Sequence, residues 1–454
     1  MSLFKREREA IVRNEYAEEF DFAEIEEFVK KADKRLFISY KFKKEKRLLA
    51  QPRGGFPTYE KMFELYKEFQ KVDTDIFPLT IDSHTRLNDY ATAKKMLELS
   101  EENEVDMLNG YPLINHGYKT TRVMVTHFNT PISLRHGTPD ARLLVETALA
   151  SGIFEIEGGP ITYLLPYSKN FPLDKAFLYW KYVEKVCAHY SQFNEPINRE
   201  SFGALTATMV PPVITIVIQL IEMLLAFEEG VKSFSVSFAQ HGSVNQDIVT
   251  SNVLKKLSRE YADKLGFEDT EIHLVYHQWM GAFPYDKELS ATLIDMSTFI
   301  AALVGANKII TKTKEEAFGI PTKEANAQAV ANTKYMIRIL KNLPKINDEE
   351  EEEILEEEVR SVMEAIFNDP ADTLWRKVLN SIKKGIIDVP FSPHIINANE
   401  VITVRDPQNA IRIYEKGKVP IPKRCFEYEK SKIAVKGGRK AIVDKIIKDI
   451  GIMQ

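Results

Sequence analysis

Between residues 46 and 340, short apolar runs alternate with longer segments in which apolar residues recur at helical spacing. We interpret the short runs as strands and the longer segments as helices. The predicted strands cover residues 48–51, 77–81, 107–109, 132–134, 153–156, 233–238, 272–276 and 308–310, with a weaker candidate at 205–209. The helical segments include residues 59–71, 140–150, 213–227, 248–265 and 290–303. Because strands that alternate with helices pair in parallel, eight such units predict an α/β fold, a (β/α)8 TIM-type barrel.

The regions on either side of the predicted barrel differ from it in composition. Residues 1–45 are rich in Glu, Lys and Arg at helical spacing and predict an N-terminal helical arm. After residue 340 comes a glutamate-rich segment, 348–358, which is typical of a solvated helix face. Beyond it we predict short strands at 389–391, 401–404 and 410–414, and a basic amphipathic helix at 438–450. The predicted domains are therefore the arm (1–45), the barrel (46–340) and a C-terminal α+β extension (341–454).

The overall composition is ordinary for a globular protein and argues against several classes of partner. Hydrophobic residues make up 44% of the 454 residues, charged residues 28%, and the formal net charge is −5. This mild acidity gives no basis for binding nucleic acid or an anionic membrane. Cys187 and Cys425 are too few for a disulfide framework. The N-terminus lacks an apolar signal core, and the longest apolar stretch, 213–227, is too short to cross a bilayer. We therefore expect a cytoplasmic protein with no membrane and no nucleic-acid partner.

Polar or ionisable residues follow every predicted barrel strand. In chain order they are Arg53; Asp82 with Arg86; Asn109; Arg135 with His136; Glu157; Gln240 with His241; His277 with Gln278; and Lys312. Any single one could be a helix cap or a solvated loop residue, because loops are generally polar. All of them together favour an active site, because barrel enzymes build their sites from the carboxyl ends of the strands.

The charges in this set indicate the kind of ligand. The arginines are Arg53, Arg86 and Arg135. Arginine makes planar, bidentate contacts with carboxylates, and three such groups suit a ligand with two carboxylates. Glu157 can then pair with an ammonium group, while Tyr163 and Tyr167 offer hydroxyl groups close by in the chain. The predicted ligand is a small amino dicarboxylic acid. The alternative is that the arginines form internal salt bridges, with Asp82, Asp89, Asp140 or Glu146.

The sequence lacks the motifs of several common enzyme classes. It contains no Walker loop, no dinucleotide-binding GxGxxG, no HExxH and no serine in a nucleophile elbow. Of the nine histidines only His273 and His277 are four residues apart, and they lie at a predicted strand and not on a helix, so we expect no protein-bound zinc or iron. The pairs Gly54-Gly55 and Gly158-Gly159 at strand ends allow either the close approach of a ligand or a tight turn.

Several strings of the sequence carry a resemblance to a known family. They are Ala50-Gln51-Pro52-Arg53, Thr80-Ile81-Asp82 with Thr85-Arg86, Leu108-Asn109-Gly110, Arg135-His136-Gly137-Thr138-Pro139-Asp140, Glu157-Gly158-Gly159, His277-Gln278-Trp279-Met280-Gly281 and Gly319-Ile320-Pro321-Thr322-Lys323-Glu324-Ala325-Asn326. Over about residues 45–410 the chain resembles the large, epsilon subunit of coenzyme B12-dependent glutamate mutase (methylaspartate mutase). The resemblance implies a barrel isomerase that converts L-glutamate to L-threo-3-methylaspartate by a radical carbon-skeleton rearrangement, in glutamate degradation.

The resemblance also implies roles for individual residues on the carboxyl-terminal face of the barrel. The substrate-binding residues would be Arg53, Arg86, Arg135, His136, Glu157, Tyr163 and Tyr167. Glu157 would in addition be catalytic, as the acceptor of a proton from the substrate ammonium. The residues that meet the adenosyl half of adenosylcobalamin would be Gly55, Asn109, Pro166, Phe283, Lys312, Glu316 and Ile320. Lys312 and Glu316 could together hold the ribose hydroxyls.

The cobalt ligand of such a cofactor is not expected from this chain. A B12 protein usually provides a histidine from a DxHxxG string, and Asp82-Ser83-His84-Thr85-Arg86-Leu87 ends in leucine instead of glycine. We therefore expect a separate small, cobalamin-binding sigma subunit, in a heterotetramer of two large and two small subunits. Two other classes remain open at this point. One is a cofactor-free barrel lyase or epimerase that acts on an acidic amino acid, and the other is a non-catalytic binding or scaffold protein.

Overall fold

A single sheet of eight parallel strands forms the centre of the computed structural model, which describes residues 3–203, 208–434 and 439–453. The strands are β1 (Leu49–Gln51), β2 (Phe77–Thr80), β3 (Ile132–Arg135), β4 (Glu155–Glu157), β5 (Asn198–Glu200), β6 (Ser233–Ala239), β7 (Glu271–His277) and β8 (Lys308–Ile310). Their order in the sheet is β1-β8-β7-β6-β5-β4-β3-β2. The two edge strands are therefore β1 and β2, which are consecutive in the sequence, and the sheet is nearly closed into a barrel. The predicted (β/α)8 barrel is confirmed.

The barrel closes between β1 and β2 through the segment that follows β1. The backbone N–H of Thr80 donates to the carbonyl oxygen of Gly54 over 3.0 Å. A Cβ on Gly55 would overlap the carbonyl oxygen of Thr80. Gly55 is therefore required for the close approach of two backbone segments, a role different from the ligand approach and the tight turn that the sequence left open.

Every barrel strand is followed in the chain by at least one helix. The helices are α1 (Leu3–Val12), α2 (Phe22–Lys31), α3 (Ile38–Lys44), α4 (Tyr59–Lys71), α5 (Ser83–Arg86), α6 (Tyr90–Asn103), α7 (Leu113–His116), α8 (Tyr118–Phe128), α9 (Arg142–Ala150), α10 (Leu173–Tyr190), α11 (Pro212–Glu228), α12 (Val244–Lys264), α13 (Lys287–Leu303), α14 (Lys323–Ile339), α15 (Glu349–Phe367), α16 (Leu374–Lys384), α17 (Lys423–Lys432) and α18 (Arg439–Ile450). Short 3-10 helices lie at Lys34–Leu36 and Glu316–Phe318.

Helix α4 illustrates how the sequence determines these elements. The hydroxyl of Thr58 accepts from the backbone N–H of Lys61 and caps the amino end of the helix. The residues that α4 buries are Met62, Leu65, Tyr66 and Phe69, which recur at the spacing of one helical face. Helix α11 is the opposite case. Its side chains are buried on nearly all sides, as expected for the apolar stretch 213–227, because α12 and α15 cover it.

Within the barrel, one predicted strand is wrong and one strand was missed. Residues 107–109 lie in the turn region after α6, and their predicted strand does not form. The barrel instead uses β5, whose sequence Asn198-Arg199-Glu200 contains no apolar residue. Polar residues are stable here because each has a buried partner, so the usual apolar signal of a strand is absent. The weaker candidate at 205–209 falls mainly on residues 204–207, outside the described residues.

The C-terminal residues add helices and a small sheet that pack beside the barrel. Strands β9 (Val401–Arg405) and β10 (Ile411–Lys416) pair antiparallel, as predicted for 401–404 and 410–414. Residues 389–391 do not form the predicted strand, since Phe391 adopts a left-handed backbone conformation with φ of 62° in a turn. The predicted closing helix is α18, although Gly438 lies outside the described residues. After α18, Ile452 and Met453 pack against a cluster that contains Trp279 and Phe283.

Within the described residues, no helix combines the length and the apolar character that crossing a bilayer requires.

Candidate active site

Four inward-facing side chains lie at the carboxyl ends of neighbouring barrel strands. Arg135 ends β3, Glu157 ends β4, Glu200 ends β5 and His277 ends β7. Glu157 and Glu200 are direct partners in the parallel register of β4 and β5, which brings their side chains to the same level. All four residues are buried, with at most 5% of their surface exposed. The carboxyl-terminal end of the barrel therefore encloses charged groups.

Arg135 joins the two carboxylates. Its Nη2 forms an ion pair with Oε1 of Glu157, and its Nη1 lies 3.6 Å from Oε1 of Glu200. Burial alone would lower the pKa of Arg135, but the charges of Glu157 and Glu200 raise it above its usual value. Burial also raises the pKa of the Glu157 carboxyl, and the charge of Arg135 only partly offsets that effect. Glu157 is thus an unusually basic carboxylate.

Beneath this level lies a second layer of buried polar groups. Lys308 on β8 donates to Oε1 of Glu155 over 2.8 Å and also to Oε2 of Glu200. Asn198 donates to Glu155 over 3.0 Å. Burial raises the pKa of Glu155 to about 7, against the opposing charge of Lys308. Barrel interiors are usually filled by branched apolar side chains, so this barrel departs from the common pattern.

Arg53 and Arg86 stand apart from these ion pairs. Among the described residues, no carboxylate lies within 4.0 Å of either guanidinium group. The Nε of Arg86 donates to the carbonyl oxygen of Ile81 over 2.6 Å, which fixes the direction of the side chain. Burial lowers the pKa of Arg86, and the positive charge of Arg53 lowers it further, so the two groups are close enough to repel each other. Two such groups suit an anionic ligand.

The internal salt bridges considered from the sequence do not form. Each of the four candidate carboxylates has another partner: Asp82 accepts from the backbone of His84 and Thr85, Asp89 from Thr92, Asp140 from Arg142, and Glu146 from Arg8. Arg135 does form internal ion pairs, but with Glu157 and Glu200. Arg135, which was expected to bind a ligand carboxylate, therefore contacts Glu157, which was expected to bind the ligand amine.

Aromatic and imidazole side chains pack beside these charged groups. The hydroxyl of Tyr163 donates to Oε2 of Glu157, and the ring of Tyr163 packs edge-on against His136 at 4.8 Å between centroids. Burial, and then the charge of Arg199, lowers the pKa of His136 to about 3, so the imidazole is neutral. Its Nδ1 accepts from the backbone N–H of Thr138 over 3.0 Å, which leaves Nε2 as the donor. Tyr167 is 56% exposed, and its ring lies 6.4 Å from that of Tyr163 between centroids.

The loop after β4 reaches its conformation through two glycines and a buried carboxylate. Gly158 has φ of 107°, and a Cβ there would overlap the ring of Tyr163. A Cβ on Gly159 would overlap the carboxylate of Glu222. That carboxylate accepts from the backbone N–H groups of Ile161 and Thr162, both over 2.8 Å. The Gly158-Gly159 pair therefore serves the turn that positions Tyr163.

Several buried polar atoms around the pocket have no hydrogen-bond partner within the described part of the chain. They are Nη1 of Arg135, Nε2 of His136, Oε1 of Glu200 and both ring nitrogens of His277. Buried polar atoms are normally paired, and exceptions call for an explanation such as a ligand site. These atoms come from three segments of the chain, and, in addition to burial, the charges of Arg53 and Arg86 are close enough to lower the pKa values of His277 and His136, respectively.

Three of the residues expected to meet a cofactor lie together beside this pocket. Phe283, Lys312 and Glu316 line a cavity of about 290 Å³, with Met280, Gly281, Ala282, Tyr285 and Ala317. The Nζ of Lys312 donates to Oε2 of Glu316 over 2.8 Å. Burial, and then the charge of Arg53, lowers the pKa of Lys312 to about 8. A cation and a carboxylate next to an aromatic ring provide donors and acceptors for ribose hydroxyls and a surface for a base.

The other four candidate cofactor positions do not line that cavity. Gly55 lies at the barrel closure, and Asn109 is exposed and accepts from the backbone N–H of Ser83 over 2.9 Å. Pro166 is half-buried in the turn before Tyr167, and Ile320 is 72% exposed. Gly55, Pro166 and Ile320 follow β1, β4 and β8, and Asn109 contacts Ser83 just after β2, so all four lie on the carboxyl-terminal side of the barrel.

Two charged residues of the site were missed by the sequence reasoning. Glu200 was missed because its strand has no apolar residue. Lys308 was missed because it is the first residue of a predicted strand, whereas site residues were expected in the loops that follow the strands. The available signal was the charge of each residue within a strand-length segment. A buried strand with a charged, inward-facing residue needs an opposite charge within reach inside the barrel, as Lys308 and Glu200 provide for each other.

Known proteins similar to this chain were identified by sequence comparison. A family model described as "Methylaspartate mutase E chain" matches residues 32–454. The glutamate mutase epsilon subunit of Yersinia enterocolitica is 38% identical over 408 residues, which are 88% of this chain and 85% of that protein. The glutamate mutase epsilon subunit of Desulfitobacterium hafniense is 36% identical over 459 residues, covering 98% of this chain and 95% of that protein.

Proposed function

The chain belongs to the methylaspartate mutase E chain family, and on this premise we propose that it is the large, catalytic subunit of an adenosylcobalamin-dependent glutamate mutase. The reaction converts L-glutamate to L-threo-3-methylaspartate. In this isomerisation the bond from C2 to C3 of glutamate breaks, a bond from C2 to C4 forms, and one hydrogen moves from C4 to C3. No atom is gained or lost, so the enzyme is an intramolecular transferase.

The observation that carries this proposal is the combination of charges at the carboxyl-terminal end of the barrel. Arg53 and Arg86 have no carboxylate partner among the described residues, while Arg135 and Glu157 lie buried beside them. Two guanidinium groups can each bind one carboxylate, and a basic carboxylate can bind an ammonium group. This combination matches an amino dicarboxylic acid better than a sugar, a phosphate ester or an apolar ligand. Glutamate has the required two carboxylates and one ammonium group.

In the proposed complex the three arginines bind the substrate carboxylates, and Nε2 of His136 donates a further hydrogen bond. Glu157 and Tyr163 bind the amino side. Since burial raises the pKa of Glu157, this carboxylate can accept a proton from the substrate ammonium during the rearrangement. Tyr167, half exposed at the mouth, contacts a carboxylate once the pocket is covered.

Adenosylcobalamin supplies the radical when it is bound, and this chain supplies orientation and the exclusion of water. The residues that fit the adenosyl group are Phe283, Lys312 and Glu316 in their common cavity, with Gly55, Asn109, Pro166 and Ile320 around the barrel mouth. The lysine and the carboxylate at 2.8 Å can exchange their mutual contact for contacts with two ribose hydroxyls.

The proposal includes a partner. The similar proteins are named epsilon subunits, which indicates an enzyme of more than one chain. His84 lies on α5 next to Arg86, with its ring 3.7 Å from Asp89. That position serves the substrate side, so the cobalt ligand comes from a small cobalamin-binding sigma subunit. We place the two chains in a heterotetramer of two large and two small subunits in the cytoplasm.

Residues 46–340 are the proposed catalytic domain, and the division into an arm at 1–45 and an extension at 341–454 stays a prediction. The test of the function is a set of mixtures of this chain, a candidate small subunit, adenosylcobalamin and L-glutamate, each with one component omitted. The product, 3-methylaspartate, is measured by chromatography. Product in the complete mixture alone is expected. Activity on glutamate without cobalamin would favour a lyase or epimerase, and the binding of glutamate without turnover in any mixture would favour a binding protein.

A further inference from the structure

Three buried acceptor groups converge at the carboxyl ends of β4, β5 and β7. Glu157, Glu200 and His277 each offer one ligand atom, and these atoms all lie within 4.8 Å of one another. None of the three residues is more than 1% exposed. Both ring nitrogens of His277 and Oε1 of Glu200 have no hydrogen-bond partner among the described residues. The geometry is therefore that of a small cation site.

The surrounding charges argue against a divalent metal ion in this place. The guanidinium of Arg135 contacts both glutamates, and Nζ of Lys308 contacts Glu200. Two cations thus already neutralise the two carboxylates, and a metal ion would meet their repulsion at short range. A monovalent cation that belongs to the same ligand as an anionic group meets less repulsion, because the anionic group can draw Arg135 away from the two glutamates.

We infer that Glu157, Glu200 and His277 together form the binding site for the substrate ammonium group, and that Arg135 occupies this site in the free chain. An ammonium group has three N–H donors in a compact arrangement, and the site offers three acceptors. The imidazole of His277 acts as a neutral acceptor, since burial and the nearby charge of Arg135 keep the pKa of His277 well below its usual value.

The contacts of Arg135 support an exchange of partners. Its Nη1 lies 3.6 Å from Oε1 of Glu200, too far for a hydrogen bond, and both atoms lack any other partner in the described residues. This ion pair is therefore loose, unlike the contact of Glu200 with Lys308. When Arg135 turns to a substrate carboxylate, Glu157 and Glu200 lose their shared positively charged partner. The ammonium of the same substrate replaces that charge, so a ligand with both groups binds more tightly than one that lacks the ammonium.

This inference rests on the proposed function and deepens it, because it makes Glu200 and His277 determinants of specificity for the amino group. The test compares two ligands that differ only in that group, L-glutamate and glutarate. Their dissociation constants are measured by isothermal titration calorimetry on the purified chain, without cobalamin. The variants are Glu200→Gln and His277→Phe. Glu155→Gln is the matched control, because Glu155 also contacts Lys308 but is not one of the three acceptors.

The expected result for the natural chain is tighter binding of glutamate than of glutarate. Glu200→Gln should weaken glutamate binding about tenfold or more, as for the loss of one charged hydrogen bond. Glutarate binding should change little, so the preference for the amino group collapses. His277→Phe should reduce the preference in the same direction, with its ring still packed against Phe202, 5.5 Å away in the natural chain. Glu155→Gln should retain the preference.

Two outcomes would overturn the inference while leaving the proposed function in place. One is an equal loss of affinity for both ligands in Glu200→Gln, which indicates a structural role. The other is an unchanged preference in both site variants. If Glu200→Gln does not fold, as judged by circular dichroism, the preference of His277→Phe decides. Failure of the natural chain to bind either dicarboxylate would instead count against the proposed function itself.

Discussion

Replacing Arg135 by lysine tests the proposed clamp while keeping the positive charge. The guanidinium of Arg135 presents two terminal nitrogens to two carboxylates, Glu157 and Glu200, in a fully buried position. Lysine presents a single ammonium group at the end of a flexible stem and cannot form the bidentate contact with a substrate carboxylate. Arg135→Lys should therefore bind glutamate more weakly although the net charge of the chain is unchanged.

The size of the effect follows from the number of contacts that are lost. One hydrogen bond to a charged group contributes about 1.5–3 kcal/mol, which corresponds to roughly a 10- to 100-fold change in the dissociation constant. In the assembled enzyme the same change should remove most of the turnover, because a misplaced substrate also loses its alignment. The assay is calorimetric binding of L-glutamate to the free chain, followed by kcat/KM in the complete mixture.

Arg142→Lys is the matched control. Arg142 makes a comparable bidentate contact, from Nε and Nη2 to the carboxylate of Asp140 at 2.8 and 2.7 Å, but this pair is not one of the ion pairs at the ends of β3, β4 and β5. The Arg142→Lys variant should bind glutamate with the same affinity as the natural chain. Arg135→Lys with near-normal binding and turnover would refute the assignment of Arg135 to a substrate carboxylate.

Further changes test the remaining parts of the site. Glu157→Gln should lower kcat more than it weakens glutamate binding, because an amide can accept a hydrogen bond from the ammonium but cannot take its proton; a change in apparent affinity alone would contradict the role as a base. Lys312→Ala should weaken the affinity of the assembled enzyme for adenosylcobalamin and leave glutamate binding of the free chain nearly intact, and equal losses would assign Lys312 to the substrate pocket. Lys308→Met should cost about 3–5 kcal/mol of unfolding free energy in urea, since it leaves Glu155 and Glu200 buried without their shared cation; a loss below about 1 kcal/mol would show that these carboxylates need no such partner. His84→Ala should keep the nitrogen hyperfine splitting of cobalt(II) in the paramagnetic resonance spectrum of the complex, and its loss would identify this chain as the source of the cobalt ligand.

The position of the site could be predicted from the sequence because parallel strands bring their carboxyl ends to one edge. Arg135, Glu157 and His277 come from segments far apart in the chain, yet each directly ends its strand. The fold class followed from the same alternation of strands and helices. The prediction of a strand at 107–109 was wrong because a short apolar run followed by a turn cannot be distinguished from a strand by its pattern alone.

The pairing within the site could not be predicted in the same way. An arginine and a glutamate that both suit a ligand also suit each other, and only their distance in the folded chain shows that Arg135 and Glu157 are in contact. Lys308 and Glu200 belong to strands on different sides of the barrel, so nothing in their local sequence relates them. Buried charges of this kind are determined by the tertiary structure, and a sequence pattern based on hydrophobicity predicts them to be exposed.

The central claim is that this chain rearranges the carbon skeleton of glutamate together with a cobalamin-binding partner. The most direct measurement uses L-glutamate labelled with carbon-13 at C3, incubated with the chain, the small subunit and adenosylcobalamin, and followed by nuclear magnetic resonance. If C2 migrates from C3 to C4, the label must appear in the methyl group of 3-methylaspartate, and only when both protein components and the cofactor are present. A label that stays in a methylene group, or a product that forms equally well without adenosylcobalamin, would contradict the account.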